Sequence, residues 1–250
     1  MSTPGTAKSD RAKQDTVAAV YESISERISA KDLPPDTRLN MDRLARELGV
    51  SQTPVREALR MLEGAGLVVA APRGYTTTGL LDGAALRDMY EVRLLLEPWA
   101  AGAAATSRVG NPGRAMLAEL DRFRALEAAG AAGDELVRQM SHHDEVFHRA
   151  IFDSVDNPFL TAAFTQLHAH LHLYRLYPPG ADSTATITEH QAIAQAIADA
   201  DPAAARAAME EHLRGSLDRF AQGIEPAQRP GIAQIRSGRS GPNSPPAPVG

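Results

Sequence analysis

Apolar residues in the first quarter of the chain recur at helical spacing. One face of a first segment is formed by Met41, Leu44, Ala45 and Leu48. Gly49 follows directly and can adopt the left-handed backbone conformation that ends a helix. The pattern therefore predicts a short helix that stops sharply at this glycine.

A second helix is predicted just after the glycine. Thr53 is a suitable N-cap, and Pro54 suits the first helical position because its missing N–H would have no partner there. The buried stripe of this helix is formed by Val55, Ala58, Leu59 and Leu62. Two helices joined by a tight turn are typical of a helix-turn-helix element.

The run after this helix pair has the pattern of a β-hairpin. Residues 66–69 and 75–78 are rich in residues that favour strands, and they flank residues 70–74. Arg73 would lie at the tip beside Gly74, where a cation and a bare backbone can approach DNA phosphates or the minor groove. We interpret the hairpin as the wing of a winged helix.

Polar residues suited to DNA cluster at the start of the second helix, the end that enters the major groove in helix-turn-helix proteins. Arg56 can contact a guanine edge or a phosphate, and Gln52 can pair with adenine. The hydroxyl groups of Ser51 and Thr53 suit phosphate oxygens. The alternative is an ordinary surface helix with a capped start.

From Leu81 onward the pattern is helical, with amphipathic, alanine-rich segments separated by Gly and Pro. The predicted helices lie near residues 83–106, 112–130, 133–154, 157–176, 183–200 and 202–222. Residues 1–12 and 223–250 are poor in apolar residues, so disorder is predicted for both. We therefore expect a mostly α fold, with a winged helix-turn-helix over residues 13–78 and an all-α helical bundle over residues 83–222.

Composition and charge agree with a cytoplasmic location and lead us to expect a homodimer. The 250-residue chain has no cysteine, which excludes disulfides and thiolate metal sites. It has no secretion signal and no uncharged apolar stretch of about 18 residues, so no membrane partner is expected. Residues 11–78 carry ten Lys and Arg against nine Asp and Glu, and residues 79–250 carry 15 against 21. Because a near-neutral domain binds DNA weakly, we expect two copies on a pseudo-palindromic operator.

Four residues of the helical part form a candidate metal site. Asp144 and His148 are four residues apart and therefore share one helix face. His190 and His212 each lie eleven residues from residue 201, so an antiparallel helix pair would bring them to similar height. Three imidazoles and a carboxylate suit a divalent transition metal, with zinc favoured over nickel or manganese. The alternative is that each histidine is an ordinary surface or partly buried side chain.

Further polar residues are candidates for binding a small ligand. Arg93 could clamp an anion, or it could pair with the glutamate four residues later on its own helix. His168 and His172 share a helix face and could line the pocket or pack at the core or rim. His142 and His143 are adjacent and cannot both share the ligand face, so we assign them to the solvent or to the shell around the site.

A longer pattern extends over residues 15–78. It runs through Leu33-Pro34-Pro35, Arg38-Leu39, Leu44-Ala45, Leu48-Gly49-Val50-Ser51, Thr53-Pro54-Val55-Arg56-Glu57-Ala58-Leu59, Leu62, Gly66-Leu67 and Arg73-Gly74. In these positions the chain resembles the GntR family of bacterial winged-helix transcription regulators. The resemblance implies DNA contacts from Arg43, Ser51, Gln52, Thr53, Arg56, Arg73 and Gly74. Asn40 stands where serine is more usual in the family. Gln52 stands where the family usually has arginine, so the family's usual preference for a guanine-rich half-site is not assigned to this chain.

A second pattern covers residues 83–222. It consists of Tyr90-Glu91-Val92-Arg93-Leu94-Leu95-Leu96-Glu97-Pro98, Asp144, Phe147-His148, Ile151, Asn157-Pro158, Glu189-His190, Ile193, Met209 and His212-Leu213. It resembles the FCD domain, the ligand-binding domain of the FadR-type subfamily. In the metal-binding members, an aspartate and three histidines at these positions hold the metal, which implies Asp144, His148, His190 and His212 as ligands. The usual effectors there are small carboxylic acids, sugar acids or amino acids.

Together these features predict a repressor that binds double-stranded operator DNA and is controlled by a small organic acid at the metal site. Effector binding would reorient the helical domains and so change the separation of the two DNA-binding domains. Two alternatives remain. The metal could be purely structural, or the helical domain could be a metal-dependent hydrolase, since such sites also activate water. A fused winged helix argues against an enzyme.

Overall fold

The computed structural model describes residues 4–30, 32–72, 74–107, 110–177, 183–222 and 224. Its elements are α1 (Pro4–Ser29), β1 (Arg38–Leu39), α2 (Met41–Glu47), α3 (Gln52–Gly64), β2 (Val68–Ala71), β3 (Gly74–Thr77), α4 (Gly83–Ala105), α5 (Gly113–Ala128), α6 (Gly133–Asp153), α7 (Pro158–Leu167), α8 (Ala169–Tyr174), α9 (Thr184–Ala198) and α10 (Pro202–Gln222). The elements up to β3 form an N-terminal domain and α4–α10 a helical domain, each around its own core. The predicted mostly α fold is confirmed.

The helix-turn-helix is formed by α2 and α3. Asn40 caps α2, because its Oδ1 accepts a hydrogen bond from the Arg43 backbone N–H at 3.0 Å. Asparagine therefore caps the helix at this position, a role for which serine is also suited. Gly49 has a φ of 66°, the left-handed conformation predicted for the end of this helix.

The start of α3 differs from the prediction. Ser51 is the N-cap and Gln52 the first helical residue, so the prediction that Thr53 caps the helix is wrong. Pro54 is the third helical residue, where its missing N–H still lacks an intrahelical partner. Proline therefore marks the first turn of a helix but does not fix its first residue.

The predicted hairpin is present as a small wing. Strand β3 lies between β1 and β2 and pairs antiparallel with both. Gly74 opens β3 with a φ of 120°, and a Cβ there would approach the Leu39 carbonyl oxygen at 3.0 Å. Arg73, the predicted tip residue, lies outside the described residues.

Disorder is predicted for both ends of the chain, and the structure describes only part of each end. Helix α1 already begins at Pro4, within the segment for which disorder is predicted. A proline at the start followed by alanines and lysines, which favour helices, gives a physical reason for this early start. Residues 1–3 lie outside the described residues, and so does the predicted disordered tail apart from Ile224.

The helical domain follows the predicted helices to within two residues, with one exception. The segment predicted as one helix over residues 157–176 is two helices, α7 and α8. They meet at His168, whose left-handed φ of 43° interrupts the helical hydrogen-bond ladder. The prediction of one continuous helix is therefore wrong. Among the described residues, no helix is both long and apolar enough to cross a bilayer.

Close packing of α5 against α9 gives a test of the domain core. A Cβ added at Gly113 would lie 2.3 Å from the backbone nitrogen of Ala198, which cannot move aside cheaply. Gly113→Ala is therefore expected to destabilise the fold by roughly 1–3 kcal/mol, measured as a lower Tm. Gly64→Ala is the control, because nothing lies within 4 Å of that position. Equal Tm values for the two variants would contradict this packing.

Candidate DNA interface and metal centre

The predicted DNA-contacting residues of α3 lie together at its N-terminal end. Ser51, Gln52, Thr53 and Arg56 are all exposed. The opposite face of α3 is buried at Val55, Ala58, Leu59 and Leu62. Because the apolar face holds α3 in the domain, its polar face is left open to a DNA groove.

Arg43 and Gly74 extend the same candidate surface. Arg43 is exposed on α2, and its Nε lies 3.4 Å from Oε1 of Glu47. Arg27 contacts the same carboxylate at 3.1 Å. Exposed ion pairs of this kind contribute little, so Arg43 can exchange Glu47 for a phosphate at low cost. Gly74 is half-buried at the start of β3.

The four predicted metal ligands come together in the helical domain. Asp144 and His148 lie on α6, His190 on α9 and His212 on α10. One nitrogen or oxygen atom of each residue lies within 4.8 Å of the others. The three histidines are at most 1% exposed. Residues far apart in sequence therefore meet at one buried point.

The donor atoms of this cluster fit a metal ion. The Nε2 atoms of His148, His190 and His212 have no hydrogen-bond partner within the described residues, although buried polar atoms are nearly always paired. Nε2 of His148 lies 3.6 Å and Nε2 of His190 3.7 Å from Oδ1 of Asp144, too far for hydrogen bonds. Ligand atoms bound at about 2.0–2.2 Å to one ion lie roughly 3–4.4 Å apart. The cluster needs only a small contraction to reach that geometry.

Each of the three histidines is also oriented by a contact at its other ring nitrogen. Nδ1 contacts Oε2 of Glu97 for His148 (2.6 Å), Oε2 of Glu189 for His212 (2.8 Å) and Nε2 of His143 for His190 (3.0 Å). A carboxylate only accepts hydrogen bonds, so Nδ1 of His212 carries the hydrogen, whereas the contact of His148 with Glu97 is an ion pair without hydrogen-bond geometry. The neutral imidazole of His212 then presents a free lone pair at Nε2, as a metal ligand does.

These orienting residues were only partly accessible to sequence reasoning. The sequence indicates Glu97 only as a partner of Arg93, and it indicates no structural role for Glu189. His143 is buried and His142 is exposed. The two adjacent histidines therefore lie in different environments, which the sequence prediction does not distinguish. The available signal was the apolar spacing of α6, since position 143 lies four residues before the buried Phe147 and shares its face.

Buried charges set the protonation of the cluster. Burial alone would raise the pKa of Glu97, but Arg93 and His148 outweigh it and lower that pKa to about 2. Burial would lower the pKa of His148, but the carboxylates of Glu97 and Asp144 raise it to about 9. In contrast, burial and the neighbouring imidazoles hold the pKa of His190 well below its usual value. A cation that binds here at neutral pH therefore displaces a proton from His148.

Arg93 forms an internal ion pair. Its side chain is 2% exposed, and its Nε and Nη2 donate to the two carboxylate oxygens of Glu97 at 2.6 and 3.5 Å. The guanidinium carbon also lies 5.0 Å from the ring centre of Tyr90. Of the two roles considered for Arg93, the geometry favours pairing over an anion clamp. Breaking such a buried pair by removing one partner typically costs about 3–5 kcal/mol.

His168 and His172 do not join the metal cluster. Nδ1 of His168 lies 3.5 Å from the Tyr21 hydroxyl, and Nε2 of His172 lies 2.9 Å from the carbonyl oxygen of Ala65. Both partners belong to the N-terminal domain. Of the two roles considered for these histidines, these contacts favour packing over lining the ligand pocket. The left-handed φ of His168 breaks the helix on which the two histidines would have shared a face.

Comparison with known proteins defines the class of the chain. Residues 16–77 match the family model of bacterial regulatory proteins of the gntR family, and residues 88–215 match that of the FCD domain. The chain belongs to the GntR family and carries an FCD domain. It is a DNA-binding transcriptional regulator and not an enzyme, which removes the hydrolase alternative.

Individual relatives agree with this class. The chain is 30% identical over 190 residues to the HTH-type transcriptional regulator McbR of Escherichia coli, covering 75% of this chain and 81% of McbR. It is 23% identical over 220 residues to the gluconate operon transcriptional repressor of Bacillus subtilis, covering 85% of this chain and 86% of the repressor. The solved structure of E. coli McbR/YncC superposes with a TM-score of 0.69 at 21% identity, covering 83% of this chain and 97% of that one. This structural likeness supports the fold.

Proposed function

We propose that this regulator is a repressor whose operator affinity is controlled by a small carboxylate bound at a zinc site. The site consists of Asp144, His148, His190 and His212. The observation that carries the proposal is the convergence on one carboxylate of three buried Nε2 atoms that have no hydrogen-bond partner in the described part of the chain. A divalent ion held there would supply positive charge and open coordination positions for an anion. Zinc suits this nitrogen and oxygen donor set, and nickel and manganese are the alternatives.

The charge of the surroundings supports an anionic effector. Asp144, Glu97 and Glu189 contribute three carboxylates, and Arg93 and Arg219 contribute two guanidinium groups. Arg219 donates two hydrogen bonds of 2.7 Å to the carboxylate of Glu189. Without a metal, the protonated His148 brings the net charge of these groups to zero. A divalent ion that displaces this proton makes the net charge plus one. A bound cation would therefore give the site a net positive charge that attracts a carboxylate.

Helix α8 supports a physical route from the cluster to the DNA-binding domain. On one side, Nε2 of His170 lies 3.5 Å from Oε2 of Glu145, the neighbour of the ligand Asp144. On the other side, His172 contacts the carbonyl of Ala65, the C-cap of α3. A shift of α6 on effector binding would thus be passed to α3. Coupling between two such sites is typically worth about 1–3 kcal/mol.

The buried Arg175, just after α8, provides a test of this route. Its Nη2 donates to the carbonyl oxygen of Thr78 at 2.7 Å, which ties the end of the wing to the helical domain. Arg175→Ala is expected to keep the metal content but to reduce the effect of metal removal on operator affinity, measured by fluorescence polarisation. Arg122→Ala removes an exposed arginine of α5 and is the control. An undiminished response in Arg175→Ala would contradict this route.

An exposed apolar surface supports the homodimer. Helix α4 presents Val92, Leu95 and Trp99, which are 37%, 76% and 47% exposed. Helix α7 contacts α4 and carries Phe159, which is 86% exposed. Single exposed apolar residues are common, but Val92, Leu95 and Trp99 follow helical spacing on one face of α4, and such a stripe indicates an interface. We assign this surface to a second copy of the chain, as a pseudo-palindromic operator requires.

The dimer surface can be tested by introducing a charge. Leu95→Asp is expected to convert the dimer to a monomer, because a carboxylate would be buried without a partner in the interface. Sedimentation equilibrium measures the molecular mass directly. Leu126→Asp, at a 43% exposed leucine of α5, is the matched control and should remain dimeric. A dimer of unchanged stability in Leu95→Asp would show that the interface lies elsewhere.

Removal of the metal distinguishes a role in the control of DNA binding from a purely structural role. If the metal is structural, dialysis against a chelator should melt the helical domain, seen as lost helical circular dichroism. Our proposal expects the helical signal to persist, because the domain core is formed by apolar packing of seven helices. Operator affinity should nevertheless change. Melting of the helices on chelation would favour the structural role.

A further inference from the structure

Gln52 is held by a residue of the preceding helix. Its side-chain amide nitrogen donates a hydrogen bond to Oδ1 of Asp42. Asp42 lies in the first turn of α2, and Gln52 is the first residue of α3. Both side chains are exposed on the helix-turn-helix. The pair therefore links the two helices at the end of α3 predicted to face DNA.

This contact fixes the direction of the glutamine amide. A carboxylate can only accept hydrogen bonds, so the NH₂ group of Gln52 must face Asp42 and the carbonyl oxygen must point away from it. If the amide were rotated by 180°, its carbonyl oxygen would face a carboxylate oxygen of Asp42, and the two oxygens would repel each other. One amide hydrogen is used by Asp42. Gln52 therefore retains one donor and one acceptor for another partner.

The remaining donor and acceptor complement one purine and not the other. In the major groove adenine presents an acceptor, N7, beside a donor, the N6 amino group, whereas guanine presents two acceptors, N7 and O6. Gln52 can satisfy both groups of adenine while it stays bound to Asp42. Guanine would require both amide hydrogens, and its acceptor edge would also face the negative charge of Asp42.

We propose that Asp42 is a positioning residue for base selection, which holds Gln52 so that α3 prefers adenine over guanine at one position of each half-site. The inference rests on the prediction that Gln52 contacts a base, and so on the proposed DNA interface. Asp42 itself need not touch DNA. Its removal should change the base preference at the position that Gln52 reads and leave the other positions as they are.

The test selects binding sites with the full-length chain from double-stranded DNA that contains a randomised segment. Sequencing of the bound DNA gives the base preference at each operator position. Gln52→Ala identifies the position that Gln52 reads, because its preference is lost there. Asp42→Asn keeps the side-chain shape but lets the amide turn either way. Glu47→Gln removes a different carboxylate from α2 and controls for general charge effects.

We expect wild type and Glu47→Gln to prefer adenine at the Gln52 position. In Asp42→Asn this preference over guanine should fall roughly tenfold, within the usual range for one base contact, with no change elsewhere. An unchanged adenine preference in Asp42→Asn, a guanine preference in wild type, or no position altered by Gln52→Ala would overturn the inference. Failure of wild type to enrich any sequence would instead contradict the DNA-binding function itself.

Discussion

His190→Ala is expected to lower the metal content of the purified chain from about one ion per chain to near zero. The His190 side chain is fully buried, and its Nε2 lies 3.7 Å from Oδ1 of Asp144 without a hydrogen-bond partner of its own among the described residues. Alanine leaves three ligands and a cavity at the centre of the site. Elemental mass spectrometry after dialysis against chelator-free buffer measures the loss.

His142→Ala is the matched control for this measurement. His142 lies on α6 as two of the ligands do, but it is exposed and takes no part in the cluster. Its replacement should leave the metal content at about one ion per chain. Equal metal content in the two variants would show that the ion, if bound, is held elsewhere. A wild-type chain that stays metal-free after incubation with zinc would contradict the site altogether.

Arg56→Ala is expected to remove specific operator binding while the dimer persists. Arg56 is exposed one turn into α3, on the face opposite the buried stripe. Loss of a guanine or phosphate contact costs roughly 1–3 kcal/mol in each half-site, and a dimer loses it twice. Fluorescence polarisation with a selected operator measures the affinity, and sedimentation measures the dimer.

The control for Arg56→Ala is a substitution of the next exposed arginine of α3, Arg60. Arg60 lies one turn further from the N-terminal end that enters the groove. Arg60→Ala should weaken binding less, and by a similar factor on specific and nonspecific DNA. An operator affinity that is unchanged in Arg56→Ala, or equally reduced in both variants, would contradict the assignment of this interface.

Features that depend on short sequence distances were predictable. The end of α2 at Gly49, the buried stripe of α3 and the hairpin each follow from residue types within one or two turns of chain. The grouping of Asp144 and His148 follows from helical periodicity in the same way. His190 and His212 required one further assumption, the antiparallel course of the last two helices. The structure brings all four residues together, and metal binding by them stays a prediction.

Features decided by single backbone angles or by distant contacts were not predictable. The residue type of His168 does not identify its left-handed φ, because histidine adopts that conformation only occasionally and glycine far more often. The contact of Glu189 with His212 joins two helices, and its existence depends on their relative height. Arg93 could be assigned to its ion pair only once burial was known. In each case the deciding energy comes from tertiary contacts, which the local sequence does not show.

The central claim is that a small carboxylate acts through the metal site on DNA binding. The most direct test is the operator affinity of zinc-loaded wild type, measured with acetate, malate and gluconate as probes, with His190→Ala as the comparison. We predict that a carboxylate changes the operator Kd of wild type by roughly 5- to 150-fold and leaves that of His190→Ala unchanged. An operator Kd of zinc-loaded wild type that none of these probes alters, or an equal response in His190→Ala, would contradict the claim.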